Sequence, residues 1–297
     1  MRIGILSIKN HRYHPNRRLM EAARDLKHEA ILVHPGRLFM GVDDQGLRID
    51  HLRRHLRADV ILPRLGATIK GYGLTMIRHF ELLGIPVINS FQSILLARNK
   101  FLSLQTLFKN GVPIPESAYA SNWSNFETAA AKLGGFPLVI KVPNSRQGSG
   151  VFLIDAPEKH RPLLDRFLDR SQGLLIQKFI PPETRRDIRI MVVGNRVIGA
   201  MSLIPRQGDF RANIHLKGRA EKVRPTRAMC DLAIISAKAL GLAISGVDMI
   251  EESEGMFRVV DVNYSPGFKG MERCTGKDMA IEIMKYVTSI TGWAGCK

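Results

Sequence analysis

Short apolar runs bounded by polar turns alternate with amphipathic stretches along the first hundred residues. "RIGILSI" reads as a buried strand, "NRRLMEAARDLKHEA" carries helical periodicity, and "AILVHP" returns to a strand. "ADVILPRLG" and "IPVINS" are two further strands, with "GLTMIRHFELLG" as the helix between them. Strand, helix, strand order of this kind builds a parallel sheet covered by helices, which predicts a Rossmann-like α/β layer at the N-terminus. No GxGxxG follows the first strand, so the dinucleotide-binding fingerprint is missing.

Around residue 91 the pattern changes to one long helix, "QSILLARNKFLSLQTLFKNG", closed by Gly111 with Pro113 and Pro115 behind it. "FPLVIKVPN" leads as a strand into the loop "SRQGSG", "VFLID" leaves it, "PLLDRFLDR" is a helix, and "GLLIQKFI" closes the segment. Farther on, "DIRIMVVGNRVIGAMSLIP" is a hairpin turning at Gly194 and Asn195, followed by a helix over roughly 226 to 240. "ISGVDMIEESEGMFRVVDVNYSPG" is a second hairpin, turning at Glu254 and Gly255. The expected organisation is therefore an α/β chain of three segments: 1–97 with the parallel sheet, 98–175 with the glycine-rich loop, and 176–297 with the long hairpins.

Length and apolar content allow a sizeable core, and no apolar run reaches the length of a membrane span, so a soluble cytoplasmic protein is expected. Cys230, Cys274 and Cys296 are too widely spaced for a disulfide framework or a metal knuckle. His11 with His14, and His51 with His55, have metal-like spacing, but the arginines of "HLRRHLR" would repel a cation. The formal charge of +17 is what changes the picture. Residues 1–100 alone hold 17 Lys and Arg against 8 Asp and Glu, so an anionic partner or substrate is expected, with the charge acting as a field around a site.

Four features carry candidate chemistry. Lys141 precedes a loop in which Ser145, Gly148, Ser149 and Gly150 let backbone N–H groups approach an anion, although a plain flexible hairpin has the same composition. Asp261 and Asn263 lie two apart on a strand and therefore share a face, while a strand ending in a turn would also use Asp, Asn, Pro and Gly. Asp248 sits on the partner strand of the same hairpin, where it can meet them. Two carboxylates buried together call for a cation, and oxygen donors suit magnesium. With Lys100, Lys141 and Arg211 the inventory matches a magnesium-bound polyphosphate.

In this order, "ARNK" with Lys100, Lys141 before "RQGSG", "IQKFI", "RDIRIMVVG", "GDFRANIH", "GVDMI" and "DVNYSPG" resemble the ATP-grasp ligases, in particular the RimK-like branch, which adds glutamate to the C-terminus of a small-subunit ribosomal protein. The likeness runs from Met1 to about Trp293. It implies an ATP-grasp fold in which 1–97 is the pre-ATP-grasp domain, 98–175 the central subdomain and 176–297 the C-terminal subdomain holding the metal site. It also implies ATP with two Mg2+ (or Mn2+) ions: Lys100 and Lys141 on phosphates, Ser145 to Gly150 closing over them, Gln177, Lys178 and Phe179 against adenine, and Asp187 by the ribose. Arg211 and Asn213 would face the transferred phosphoryl group, with His215 nearby, and Asp248, Asp261 and Asn263 would bind metal. Such ligases form an acyl phosphate that an amine attacks, so the partners implied are L-glutamate or another amino acid, an acidic protein C-terminus, and further copies of the chain in a homo-oligomer.

Two positions depart from the family pattern. Asp261 stands where Glu is usual, withdrawing the carboxylate by about 1.5 Å. Lys178 stands where an acid is usual, so a nucleotide contact falls to other atoms. The resemblance leaves ribosomal-protein modification and poly-α-glutamate synthesis both open, and three alternatives remain beside them: a small-molecule or carrier-protein acceptor, a nucleotide-binding protein with reduced turnover, and a nucleic-acid binder.

Overall fold

The computed structural model describes residues 1–291 except 53, 67–70, 143–149, 169–172, 207 and 212–218. From the N-terminus run β1 (Arg2–Leu6), α1 (His14–Asp25), β2 (Glu29–Val33), β3 (Leu38–Asp43), β4 (Gly46–His51), β5 (Arg54–His55), β6 (Val60–Pro63) and α2 (Gly71–Leu82). Next come α3 (Phe91–Arg98), α4 (Lys100–Lys109), β7 (Ser117–Ala120), α5 (Trp123–Lys132), β8 (Leu138–Lys141), β9 (Val151–Ile154), α6 (Arg161–Asp165) and β10 (Leu174–Lys178). The chain ends with β11 (Arg186–Val193), β12 (Arg196–Ile204), β13 (Arg219–Lys222), α7 (Arg227–Ala239), β14 (Ile244–Ser253), β15 (Met256–Asn263), α8 (Lys269–Thr275) and α9 (Met279–Thr291).

The N-terminal sheet is parallel, in the order β2-β1-β6, as the strand, helix, strand pattern predicts. The expected strand "IPVINS" contributes only one bridge, Val87 to Ile61. Asn89 is the reason its last residues leave the sheet. Its buried amide donates to the carbonyls of Ile244 (2.7 Å) and Tyr264 (2.8 Å) and accepts from Ile244 N–H (2.9 Å), tying the segment to another sheet. Sequence reading missed a small antiparallel sheet, β3-β4-β5, whose turn falls at Asp44 and Gln45.

The single helix expected over residues 91–111 is two. Asn99 takes an extended conformation (φ −90°, ψ 111°), and its side chain accepts from the N–H groups of Phe101 and Leu102, so it ends α3 and caps α4. Lys100 thereby becomes the first residue of a new helix.

Two further antiparallel sheets follow. One has the order β7-β10-β8-β9 and its own core of Phe126, Leu138, Ile140, Ile154 and Ile176. The other, β13-β12-β11-β14-β15, buries Ile188, Ile190, Val247 and Val259 against α7 and shares that core with Phe80 and Ile94. On its opposite face Met191, Met201 and Phe268 join Ile3, Leu19 and Met284, so α9 packs on α1 and closes the first and last sheets into one body. The hairpin β11–β12 turns at Gly194 (φ +58°), where a Cβ would meet the Tyr286 ring at 2.6 Å. No helix among the described residues is long and apolar enough to cross a membrane.

Candidate functional site

Strand alternation decides which side chains meet. In the central sheet Ile140 and Ile176 enter the core, so Val139 and Lys141 on β8, with Leu175 and Gln177 opposite them on β10, occupy the other face. In the C-terminal sheet Ile188, Ile190, Val247 and Val259 enter the core, which turns Asp187, Arg189, Asp248 and Asp261 the other way. Asp248 pairs with Asp261 and Gly246 with Asn263. A bulge sets this register, because Met249 pairs with Val259 and leaves Val260 as the extra residue. The Val260 carbonyl accepts from Lys141 Nζ at 3.3 Å, which brings the two sheets together at the bulge.

The acids and amide therefore converge, and cations surround them. Arg189 grips Asp248 with two bonds, Nε to Oδ1 at 2.5 Å and Nη2 to Oδ2 at 2.6 Å, while Asn263 Nδ2 donates to Oδ2 at 3.1 Å. Lys100 Nζ lies 3.0 Å from Asp261 Oδ2, fixed there by the new start of α4. The compensation that sequence reasoning gave to a metal alone is thus shared by Arg189, Lys100 and Lys141. Burial pushes the Asp261 carboxyl up, but Lys100, Lys141 and Arg189 more than offset it and hold it below the usual carboxylate range. Burial and the neighbouring Lys100 bring the Lys141 ammonium down to about 8, against the pull of Asp261 and Asp248. Arg189 was missed, although its place two residues beyond Asp187 put it on the same face.

Among the described residues no bond reaches Asp261 Oδ1, and no three His, Cys, Asp or Glu side chains cluster as a metal centre. The donor set is two carboxylates and an amide, which are the oxygen ligands a hard cation takes, and carboxylate oxygens keep lone pairs beyond those their present partners use. These residues fit a divalent ion.

The remaining expected positions line the neighbourhood. Gln177 is buried and donates to Ser117 Oγ at 2.9 Å, which directs its amide into the sheet. Lys178 is half exposed and pairs with Glu116 at 3.0 Å. Phe179 packs edge-on against Phe210, centroids 6.0 Å apart. Asp187 is partly buried and raised by desolvation, partly offset by Arg185 Nε at 3.0 Å, and Arg185 also reaches the carbonyls of Ile180 and Phe210. Arg211 grips Asp209, with Nε to Oδ1 and Nη2 to Oδ2 both at 2.9 Å. Gly150 accepts from Val142 N–H at 2.8 Å. Ser145, Gly148, Ser149, Asn213 and His215 lie outside the described residues.

A lysine from the central sheet and one from the start of α4, meeting acids of the C-terminal sheet, describe a nucleotide-dependent ligase of the ATP-grasp class, and comparison with known proteins agrees. Residues 1–94 match the RimK PreATP-grasp domain and residues 97–287 the RimK-like ATP-grasp domain. A probable alpha-L-glutamate ligase of Coxiella burnetii is 36% identical over 288 residues, covering 97% of this chain and 95% of the relative. The ATP-grasp ligase PsnB, solved with a phosphomimetic variant of a minimal precursor, Mg and ADP, superposes with a TM-score of 0.76 at 19% identity over 97% of this chain and 98% of PsnB. A RimK domain ATP-grasp protein of Sphaerobacter thermophilus gives 0.75 at 22% over 96% and 99%. The chain belongs to the RimK-like ATP-grasp family. It is an ATP-dependent, ADP-forming ligase that joins a carboxylate to an amine.

Proposed function

We propose that this ligase activates the C-terminal carboxylate of an acidic protein acceptor and joins L-glutamate to it by an α-peptide bond. The observation that carries the reading is the meeting of Lys100 and Lys141 with Asp248, Asp261 and Asn263 where the central sheet and α4 touch the C-terminal sheet. An acceptor carboxylate oxygen attacks the γ-phosphorus of ATP, ADP leaves, the amine of glutamate attacks the acyl phosphate, and phosphate leaves with the carbonyl carbon now in an amide; the amine gives up its proton. Phosphoryl transfer asks for positioning and charge neutralisation, so no catalytic Ser, Cys or His is needed.

In this reading Asp248, Asp261 and Asn263 hold Mg2+ or Mn2+, in two ions, which would neutralise the phosphate oxygens when bound. Lys100 and Lys141 take the phosphates, with Ser145, Gly148, Ser149 and Gly150 in the loop over them. Gln177, Lys178 and Phe179 border the base through their backbone and the Phe179 ring, and Asp187 borders the ribose. Arg211 and Asn213 face the acyl phosphate once Arg211 exchanges Asp209 for it. A ribosomal small-subunit protein as acceptor, a homo-oligomeric assembly, a cytoplasmic setting and the division at 1–97, 98–175 and 176–297 belong to the same proposal.

The test is ADP release with Mg2+ and ATP across a panel of amino acids, with and without a peptide ending in glutamates. Release that needs both glutamate and the peptide, with the peptide gaining residues by mass spectrometry, supports the reading. ATP binding with no release for any amino acid overturns it.

A further inference from the structure

In the order β2-β1-β6 the chain leaves β1 to one side and returns on the other, and in parallel α/β sheets ligands bind beyond the carboxyl ends of strands at such a reversal. Arg64 stands there, the first residue after β6. Among the described residues one of its five N–H donors finds a partner, Nη2 donating to the Pro266 carbonyl at 2.6 Å, while the guanidinium lies 5.8 Å from the Phe268 ring centroid. Nε is sealed from solvent and has no partner among the described residues. No carboxylate of the described residues lies within 4.0 Å of it, whereas Arg189 has Asp248, Arg185 has Asp187 and Lys100 has Asp261. Burial draws its ionisation down to about 10, which leaves it charged at neutral pH.

A shielded guanidinium without a counter-ion costs stability, and an anion arriving from outside removes that cost. The position says which anion. Arg64 holds the Pro266 carbonyl and the Tyr264 hydroxyl donates to Gly66 at 2.7 Å, so β6 is stitched to the segment directly after Asn263. The cations of the phosphate side, Lys100 and Lys141, approach Asp261 and Val260 instead.

We infer that Arg64 receives a substrate carboxylate, through the planar fork that suits carboxylates, at the mouth where the substrates meet the acyl phosphate. The inference rests on the ligase reading above. The carboxylate comes from the incoming amino acid or from the acidic acceptor, and one experiment separates the two.

Wild type, Arg64→Lys and Arg64→Gln are compared by calorimetric binding of a non-hydrolysable ATP analogue, of glutamate and of a glutamate-ended peptide, together with steady-state ADP release. The expected result is a rise of about 10- to 100-fold in Kd and KM for one substrate, smaller for Arg64→Lys, with nucleotide Kd within about twofold. A rise confined to glutamate assigns the incoming amino acid, and a rise confined to the peptide assigns the acceptor. Unchanged Kd for both substrates overturns the inference, as does an equal loss of nucleotide binding; if Arg64→Gln does not fold, Arg64→Lys decides by the same criteria. Should wild type bind glutamate yet release no ADP, the ligase reading fails while the glutamate Kd still judges Arg64.

Discussion

The Arg189–Asp248 pair gives the sharpest test of the site. Both side chains are about four-fifths buried (20% and 18% exposed) and joined by two short bonds. Arg189→Met leaves the Asp248 carboxylate without its main counter-ion; removing one partner of a buried pair costs about 3–5 kcal/mol, and the residual exposure places this case near about 3. For a chain of this length the unfolding entropy converts about 3 kcal/mol into a fall of about 5 °C in Tm. Asp248→Asn strands the guanidinium and should cost a similar amount. The double variant loses both charges, so its Tm should lie well above the sum of the single losses, corresponding to a coupling of about 1.5–3 kcal/mol. Thermal melts followed by circular dichroism provide the cycle. Millimolar Mg2+ should restore part of the loss in Arg189→Met, whose Asp248 is then free for a metal, and little in the double variant. Strictly additive single losses would refute the claim that Arg189 neutralises this acid.

Asn89→Ala removes three buried bonds that tie the segment after the N-terminal sheet to Ile244 and Tyr264, and should cost about 2–4 kcal/mol in denaturant titration, with ADP release falling as β14 and β15 loosen. Lys141 titrates near 8 in the folded chain and near its ordinary higher value when unfolded, so between those limits the unfolded chain binds more protons and stability rises with pH, whereas kcat/KM for ATP should decline above about pH 8 as the ammonium is lost. In Lys141→Arg that alkaline limb should vanish from a pH-rate profile. Gly246→Ala puts a Cβ 2.9 Å from the Pro266 ring, a rigid neighbour, and should cost about 1–3 kcal/mol while slowing ADP release, because Pro266 carries the carbonyl that Arg64 holds.

How much of this was legible depended on whether a partner lay close in sequence. Alternation alone put Asp261 and Asn263 on one face, and the hairpin put Asp248 opposite them. Arg189 obeyed the same alternation, but its reason for being there is an acid 59 residues away. Arg64 read as the end of an apolar strand, since its carbonyl partner lies 202 residues on. The break at Asn99 hid because apolar residues continue across it, and only the capping amide marks the boundary. The sheet β3-β4-β5 was signalled by the alternation in "LFMGVD" and its acidic turn, and went unread. β7 and α5 went unread as well, their run of alanines and a single tryptophan offering little periodicity. The Gln177 side chain serves Ser117, a pairing that only the sheet register reveals.

Adjacent residues of β15 do opposite jobs for the central sheet. Val259 N–H holds the Pro113 carbonyl at 2.8 Å, beside Ile114, which is bonded by Arg258; the next carbonyl, Val260, holds Lys141. The first contact is made by backbone alone. The second is a latch, made by the very ammonium a phosphate would claim. If an anion takes the Lys141 ammonium, the second contact is the one that gives way, while the first, made by backbone alone, is unaffected.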